Sequence, residues 1–163
     1  MNSNSSSRYD DLFQKFGLKF NIPWQLLKAQ VRQESNFNPD AQNKRSGAKG
    51  LAQFMDKTWQ VWCDLTPGIQ TPSQDYDPFN PSDAVSAQAA YMKFLIGYIG
   101  KKLNDKTEII SWALAAYNWG VGNVIKLIDK TGPSYQLSEP QLPSETSSYV
   151  RNIIKYFGEY NAE

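Results

Sequence analysis

Apolar residues recur three and four positions apart along most of the chain, and polar stretches rich in glycine or proline separate these segments. This spacing is typical of α-helices that bury one face, and no alternating strand pattern is longer than a few residues. The sequence therefore predicts a mainly α fold. The predicted helices cover, in chain order, Tyr9 to Phe16 with Gly17 ending it, Pro23 to Ser35 or Asn36, Lys57 to Leu65, a long helix after Asn80, a helix carrying Ile109 to Tyr117, Val121 to Asp129, and Ser144 to about Phe157.

Residues with known helix-end preferences predict where several of these helices begin. Asn80 followed by Pro81 predicts the start of the longest helix, because asparagine caps helices and proline suits the first turn. Asp105 with Glu108 three residues later predicts a capping box for the helix that follows. Ser144 is the predicted cap of the terminal helix.

Polar connectors are predicted at residues 37–50, 66–80 and 134–142, and the first two are long for a compact domain. The first contains Asn-Pro and two glycines, and it forms either a long loop or a short hairpin. Connectors longer than about 12 residues without their own secondary structure are usually functional or disordered. We expect the first connector to border a functional site, because it directly follows the candidate catalytic residue.

That candidate is Glu34, a carboxylate on an apolar helix face. Trp24, Leu27 and Val31 lie three and four residues apart, and Glu34 is the next position on the same face. The helix must end soon afterwards, since the residue before Pro39 avoids helical angles. Burial and the negative end of the helix dipole both disfavour a charged carboxylate. Both effects raise the pKa of Glu34 toward the value that a general acid needs near neutral pH.

The overall composition indicates one soluble globular domain. The chain has 163 residues, 40% of them hydrophobic and 20% charged, and its formal net charge of +1 gives no reason to expect a nucleic-acid partner. The longest apolar run, near Phe94 to Gly100, is far shorter than the ~18–20 residues that span a bilayer, so no stable membrane insertion is expected. Residues 1–7 lack the features of a secretion signal and are predicted to be a disordered leader before a domain at residues 8–163.

Missing residue types exclude several kinds of catalytic site. The chain has no histidine, which excludes a Ser-His-Asp triad, a Cys-His pair and a histidine-based metalloprotease helix. The one cysteine, Cys63, allows neither an intramolecular disulfide nor a cysteine-rich zinc site. We expect no metal and no cofactor. Carboxylate, amide, hydroxyl and phenol groups remain, and this set fits the cleavage of glycosidic bonds better than peptide or phosphoryl chemistry.

Four short sequence elements, taken in order, resemble the goose-type lysozyme and soluble lytic transglycosylase superfamily. Residues 34–39 read ESNFNP, residues 46–53 read SGAKGLAQ, residues 115–120 read AAYNWG, and residues 143–150 read PSETSSYV. The resemblance implies a compact, lysozyme-like helical domain with a substrate cleft that acts on the glycan strands of peptidoglycan. Two positions depart from the usual pattern beside the presumed cleft, Ala52 in place of methionine and Trp119 in place of alanine.

The resemblance also implies roles for individual residues. Glu34 would protonate the glycosidic oxygen between N-acetylmuramic acid and N-acetylglucosamine. It would then take a proton from the 6-hydroxyl of the N-acetylmuramic acid, giving a 1,6-anhydro product. The 2-acetamido group would replace the second carboxylate of other glycosidases. Tyr117 and Asn118 would line the centre and hydrogen-bond Glu34 or the acetamido group. The remaining implied substrate-binding residues are Ser35, to orient the region, Gln53, to contact the sugar, Glu145, in the cleft, and Tyr149, facing Glu34.

Several alternatives remain open at this point. Ser35 is equally explained as a polar residue at a helix C-terminus, and Glu145 as a first-turn residue stabilised by the helix dipole. A lysozyme-like hydrolase would need a second carboxylate to position water, and no aspartate has a spacing that supports this role; the candidates are Asp56, Asp64, Asp75, Asp77 and Asp83.

A non-catalytic wall-binding or virion module is a third hypothesis, although binding alone does not need an acid on an apolar face. We expect a monomer that is made in the cytoplasm and acts on the cell wall. A phage lysis enzyme or virion component is the preferred setting, and a bacterial enzyme exported by a dedicated secretion machine is the alternative.

Overall fold

The structure, a computed structural model, describes residues 7–63 and 76–162, most of which are helical. The predicted mainly α fold is confirmed, and within these ranges β-pairing is limited to the isolated bridges Gln42–Lys49 and Lys49–Phe54. The helices are α1 (Asp10–Phe20), α2 (Trp24–Ser35), α3 (Asp56–Trp62), α4 (Pro81–Gly100), α5 (Ile109–Trp119), α6 (Val121–Thr131), α7 (Tyr135–Ser138), a 3-10 turn (Glu139–Gln141) and α8 (Ser144–Asn161).

Helix α2 carries Glu34 at its C-terminal end. It packs against α1, α4 and α8, while α5 packs against α4, α6 and α8. Burial of these apolar faces holds α2 in place, since each fully buried large side chain contributes about 1.5–3 kcal/mol relative to exposure. The largest fully buried apolar side chains are Phe13, Leu26, Leu27, Leu51, Met92, Leu95, Ile99, Trp112, Leu114 and Ile153.

The end of α1 was predicted wrongly, because Gly17 does not end the helix. The helix continues to Phe20 and ends at Asn21, whose φ of 56° lies in the left-handed region. A Cβ at position 17 would lie 2.7 Å from the carbonyl oxygen of Ile22. The glycine is therefore required by the close return of the chain.

The capping box predicted for α5 is wrong. The side chain of Glu108 makes no cap there, and its two oxygens instead accept hydrogen bonds from the backbone N–H groups of Tyr135 and Gln136, both at 2.9 Å. Asp105 accepts from the backbone N–H of Thr107 at 2.9 Å. Glu108 thus satisfies backbone donors at the start of α7, 27 and 28 residues away, where local sequence gives no signal.

The other predicted helix starts gave mixed results. Asn80 caps α4, because its side chain accepts from the backbone N–H of Asp83 at 3.1 Å, which confirms that prediction. Ser144 was wrongly predicted as a cap, since it is the first helical residue of α8 and the residue before it is Pro143.

The first connector adopts the hairpin alternative of its two predicted forms, and the third contains short helical segments. Residues 37–50 form a hairpin-like turn through the two isolated bridges, and residues 134–142 contain α7 and the 3-10 turn. Leu65, most of the predicted connector 66–80 and residues 1–6 of the predicted leader lie outside the described residues. Within the described ranges, every helix is too short or too polar to cross a membrane.

Candidate active site

An open cavity of about 220 Å³ lies where the C-terminal ends of α2 and α5 meet the first connector and the start of α8. Five of the seven predicted site residues line it, and they come from four separate parts of the chain. Of the other two, Tyr149 contacts Glu34 and Ser35 does not line the cavity. The lining residues are Glu34, Asn43, Ser46, Ala48, Gln53, Met55, Tyr117, Asn118 and Glu145.

Glu34 is the penultimate residue of α2 and is partly buried at the cavity wall. Its Oε1 accepts a hydrogen bond of 2.6 Å from the hydroxyl of Tyr149. Burial raises the pKa of Glu34 from 4.5 to about 8, the hydrogen bond from Tyr149 opposes this, and the negative charge of Glu145 adds to it. The carboxyl is therefore mostly protonated at neutral pH, as a general acid requires. The predicted contribution of the helix dipole stays a prediction.

Tyr149 is buried, and its hydroxyl both donates and accepts. Burial and the nearby charge of Glu34 raise its pKa well above the ordinary value, so the hydroxyl keeps its proton and donates a hydrogen bond to Glu34. The amide nitrogen of Gln30 donates to the same hydroxyl at 3.2 Å, and Gln88 donates to the oxygen of Gln30 at 3.0 Å. Neither glutamine was predicted from the sequence. A polar residue recurring within an apolar helical stripe is the signal that would have found them.

Tyr117 lines the cavity. A hydrogen bond to Glu34 was one of its two predicted arrangements, and it is not formed. Its hydroxyl donates to the carbonyl oxygen of Ala52 at 3.0 Å. Burial, and secondarily the charge of Glu34, raise the pKa of Tyr117 well above its usual value, so it remains a donor. Its ring packs edge-on against Phe54 at a centroid distance of 6.0 Å. Tyr117 therefore joins α5 to the turn at residues 50–54.

Asn118 lies next to Tyr117 and is exposed to the cavity. Its side-chain oxygen accepts a hydrogen bond of 2.8 Å from the hydroxyl of Thr146, a residue of α8 that the sequence analysis did not single out. Because the oxygen is occupied in this way, the amide nitrogen of Asn118 is the group that can donate to a ligand.

Gln53 shapes the turn that forms the opposite wall. It has a left-handed φ of 50°, and its amide nitrogen donates to the carbonyl oxygens of Ala41 at 3.2 Å and Gly50 at 3.0 Å. Gly50 itself has a φ of 74°, and a Cβ there would lie 1.8 Å from the carbonyl oxygen of Pro78. The turn thus requires glycine, and the side-chain oxygen of Gln53 is left as the group that can accept from a sugar hydroxyl.

The remaining predicted residues are placed less decisively. The hydroxyl of Ser35 donates to the carbonyl oxygen of Val31 at 3.3 Å, an arrangement that suits a polar residue at a helix end, and its role toward substrate stays a prediction. Glu145 lies in the first turn of α8 and lines the cavity, so both of its interpretations remain compatible with its position. Of the two departures from the resembled pattern, neither Ala52 nor Trp119 lines the cavity.

The aspartates considered as a second carboxylate for a hydrolase do not line the cavity where the structure describes them. Asp56 pairs with Lys49 at 2.7 Å, and Asp83 accepts from the backbone N–H of Asp77 at 3.1 Å. Asp64 and Asp75 lie outside the described residues. Among the residues that line the cavity, the second carboxylate is Glu145. The described part of the chain contains no cluster of three or more acidic or cysteine side chains suited to a metal ion.

The fold and the cavity together define a mainly helical, lysozyme-like domain with a protonated glutamic acid at its candidate active site. The chain belongs to the family described as the transglycosylase SLT domain, which matches residues 11–136. The family match therefore includes Glu34, Gln53, Tyr117 and Asn118 and ends before Glu145.

Relatives and solved structures extend the likeness over nearly the whole chain. The peptidoglycan transglycosylase gp16 of Escherichia phage T7 is 31% identical over 93% of this chain. The soluble lytic murein transglycosylase of Escherichia coli (strain K12) is 29% identical over 93%. The structure of the 70 kDa soluble lytic transglycosylase SLT70 from Escherichia coli superposes over 94% of the chain with a TM-score of 0.76 and 27% identity. A complex of the 70 kDa soluble lytic transglycosylase with bulgecin A gives a TM-score of 0.77 and 26% identity over 96% of this chain.

The chain corresponds to only part of each of these proteins. It covers 10% of the phage relative and 23% of the Escherichia coli relative. It covers 24% of the chain in both solved structures. What is shared is therefore one domain of larger proteins.

Proposed function

We propose that this protein is a peptidoglycan lytic transglycosylase in which Glu34 acts first as an acid and then as a base. The observation that carries the proposal is the position of Glu34, which lies in an open cavity with its pKa raised to about 8 and with Tyr149 fixing one oxygen. The names of its relatives, which refer to murein and peptidoglycan, support the choice of substrate.

The proposed reaction needs only groups that the cavity and the substrate provide. Protonated Glu34 gives its proton to the glycosidic oxygen as the bond to C1 of N-acetylmuramic acid breaks, and the 2-acetamido group stabilises the positive charge at C1. The 6-hydroxyl of the same sugar then bonds to C1, and its proton passes to the ionised Glu34. The products are a 1,6-anhydro end and a free 4-hydroxyl, and Glu34 is protonated again.

Other polar groups in the cavity suit the binding of a sugar. The amide nitrogen of Asn118 can donate to an acetamido carbonyl, and the side-chain oxygen of Gln53 can accept from a hydroxyl. Met55 is 45% exposed at the wall and offers an apolar surface to a sugar ring.

Glu145 supports a second candidate, a lysozyme-like hydrolase of the same bond. It lines the cavity together with Glu34, and its carboxylate could act as the base that activates a water molecule. In that case the product would carry a reducing end, and Glu145→Gln would abolish turnover as completely as Glu34→Gln.

Digestion of purified peptidoglycan followed by mass spectrometry tests the proposal. We expect 1,6-anhydro ends with the unmodified protein, loss of products with Glu34→Gln, and retained anhydro products with Glu145→Gln. Reducing ends without anhydro sugar would refute the transglycosylase proposal in favour of the hydrolase. No cleavage at all by the folded, unmodified protein would favour a wall-binding module.

We also propose that the protein acts at the cell wall as a phage product, as a lysis enzyme or a virion component. The support is the similarity to the transglycosylase of phage T7 over 93% of this chain. Probing purified virions with an antibody against the protein separates the two phage roles. Absence from virions, with appearance during late infection, would identify a lysis enzyme.

A further inference from the structure

A chain of hydrogen bonds reaches Glu34 from the interior of the molecule. Gln88 of α4 donates from its amide nitrogen to the side-chain oxygen of Gln30, which lies on α2. Gln30 donates from its own nitrogen to the hydroxyl of Tyr149, and Tyr149 donates to Oε1 of Glu34. Both glutamines are 0% exposed. The proposed acid is thus connected to two buried amides that never reach the cavity.

The direction of every bond in this chain is fixed at its far end. The amide nitrogen of Gln88 also donates to the backbone carbonyl of Leu27 at 3.2 Å. A backbone carbonyl only accepts hydrogen bonds, so the amide nitrogen of Gln88, not its oxygen, must face Leu27. The second N–H of the same nitrogen then donates to Gln30, which must present its oxygen. The nitrogen of Gln30 then faces Tyr149, whose hydroxyl accepts from it.

This arrangement leaves the single hydroxyl proton of Tyr149 free for one partner, Glu34. Oε1 of Glu34 accepts the hydrogen bond from this hydroxyl, and in a neutral carboxylic acid the carbonyl oxygen is the better acceptor. The transferable proton of Glu34 therefore belongs on Oε2. If the amide of Gln30 turned over, its oxygen would face Tyr149 and compete with Glu34 for the hydroxyl proton.

We propose that Gln88 and Gln30 are positioning residues that lock the Tyr149 hydroxyl as a donor to Glu34 and so keep the transferable proton on Oε2. Only the activity measurements below depend on the proposed function, because the titration of Glu34 can be followed without substrate.

The arrangement also carries a structural cost. The oxygen of Gln88 is buried and has no hydrogen-bond partner among the described residues. Unpaired buried acceptors are destabilising and infrequent in natural cores. The hydrogen bonds from Gln88 to Leu27 and Gln30 use only its amide nitrogen.

A single variant at Gln88 and a double variant at Gln88 and Gln30 test this proposal. Gln88→Met removes the group that holds the oxygen of Gln30 and lets the amide of Gln30 turn over, although the hydrogen bonds of Gln88 go to Leu27 and Gln30 and not to Tyr149 or Glu34. Glu34 then loses a hydrogen bond to its charged form, so its titration should move upward by about one pH unit. In the double variant Gln88→Met/Gln30→Met no amide remains to compete for the Tyr149 proton, and the titration should return toward the unmodified value.

The titration is measured by carbon-13 NMR of the labelled glutamate carboxyls, with Glu34→Gln identifying the signal. The ionisable groups that face Glu34 are Tyr149 and Glu145 of α8 and Tyr117 of α5, and all three are unchanged in every variant. Gln60→Met, at an exposed position of α3, is the matched control and should not move the titration.

Activity and stability provide the readouts that separate positioning from packing. We expect Gln88→Met to lower kcat about tenfold, part of the roughly 10²–10⁴ that acid–base catalysis supplies, with KM unchanged. Its melting temperature should change little, because the unpaired oxygen of Gln88 is removed while one buried polar group of Gln30 loses its partner. A double variant perturbed as much as Gln88→Met, or an unmoved titration in Gln88→Met, would overturn the proposal.

The unmodified protein gives an independent test if the variants fold poorly. Neutron diffraction of deuterated crystals locates the deuterons on Gln30 and Tyr149. We expect the Tyr149 deuteron on the side of Glu34 Oε1, and a Gln30 oxygen turned toward Tyr149 would refute the inference. If the unmodified protein releases no anhydro products, the proposed function is refuted, but the inferred direction of the hydrogen bonds is not affected.

Discussion

Replacing Glu34 with glutamine should make the protein more stable near neutral pH while abolishing its activity. The pKa of Glu34 rises from 4.5 to about 8 on folding, chiefly because of burial. Below the unfolded pKa both states are protonated and the residue costs nothing. Above it the unfolded carboxyl ionises freely, while the folded one stays protonated until about pH 8. The cost to stability therefore grows with pH across this interval and levels off above it.

The size of this effect follows from the shift in pKa. One pKa unit corresponds to about 1.4 kcal/mol, so the ionisable side chain costs about 3 kcal/mol at pH 7 and less than about 1 kcal/mol at pH 5. Glutamine has no charge to bury, and its side-chain oxygen still accepts from the hydroxyl of Tyr149. We therefore expect Glu34→Gln to gain about this amount of stability at pH 7.

Urea unfolding at pH 5 and pH 7, followed by tryptophan fluorescence, measures the difference. The matched control is Asp40→Asn, which neutralises an exposed carboxylate and should change stability little at either pH. A stability difference between Glu34→Gln and the unmodified protein that is the same at both pH values would refute the raised pKa. Retained turnover in the same variant would refute the assignment of Glu34 as the acid.

Two further predictions concern the neighbours of this acid and the turn opposite. Activity that depends on protonated Glu34 should decline above about pH 8. Tyr149→Phe should move this decline to higher pH, because it removes a hydrogen bond that lowers the pKa of Glu34. The pH–rate profile of kcat/KM measures the shift, and a decline that moves to lower pH would contradict the prediction. Gly50→Ala should destabilise the fold by about 3 kcal/mol or more, since its Cβ would lie 1.8 Å from the carbonyl oxygen of Pro78. Gly47→Ala, with φ 79° and no atom within 4 Å of the added Cβ, should cost only about 1 kcal/mol by the same denaturation assay, and equal losses would contradict the steric argument.

The sequence by itself determined the helical class and the inward position of Glu34. Both depend on spacing within one helix, and a helix places residues three and four apart on one face whatever surrounds it. The cap of α4 at Asn80 was predictable for the same reason, since a cap bonds to an N–H group three residues away. Resemblance to known sequence elements supplied the candidates across the cavity, including Asn118 and Glu145.

Only the tertiary structure decided which groups surround and orient that acid. Gln88 and Gln30 are 58 residues apart, Gln30 and Tyr149 are 119 apart, and Tyr149 and Glu34 are 115 apart. Nothing local specifies such contacts, because they form only when α2 packs against both α4 and α8. The same holds for Glu108, which satisfies N–H groups at the start of α7 instead of capping its own helix. The chain thus encodes its acid locally, whereas the direction of the hydrogen bond to that acid depends on helix packing.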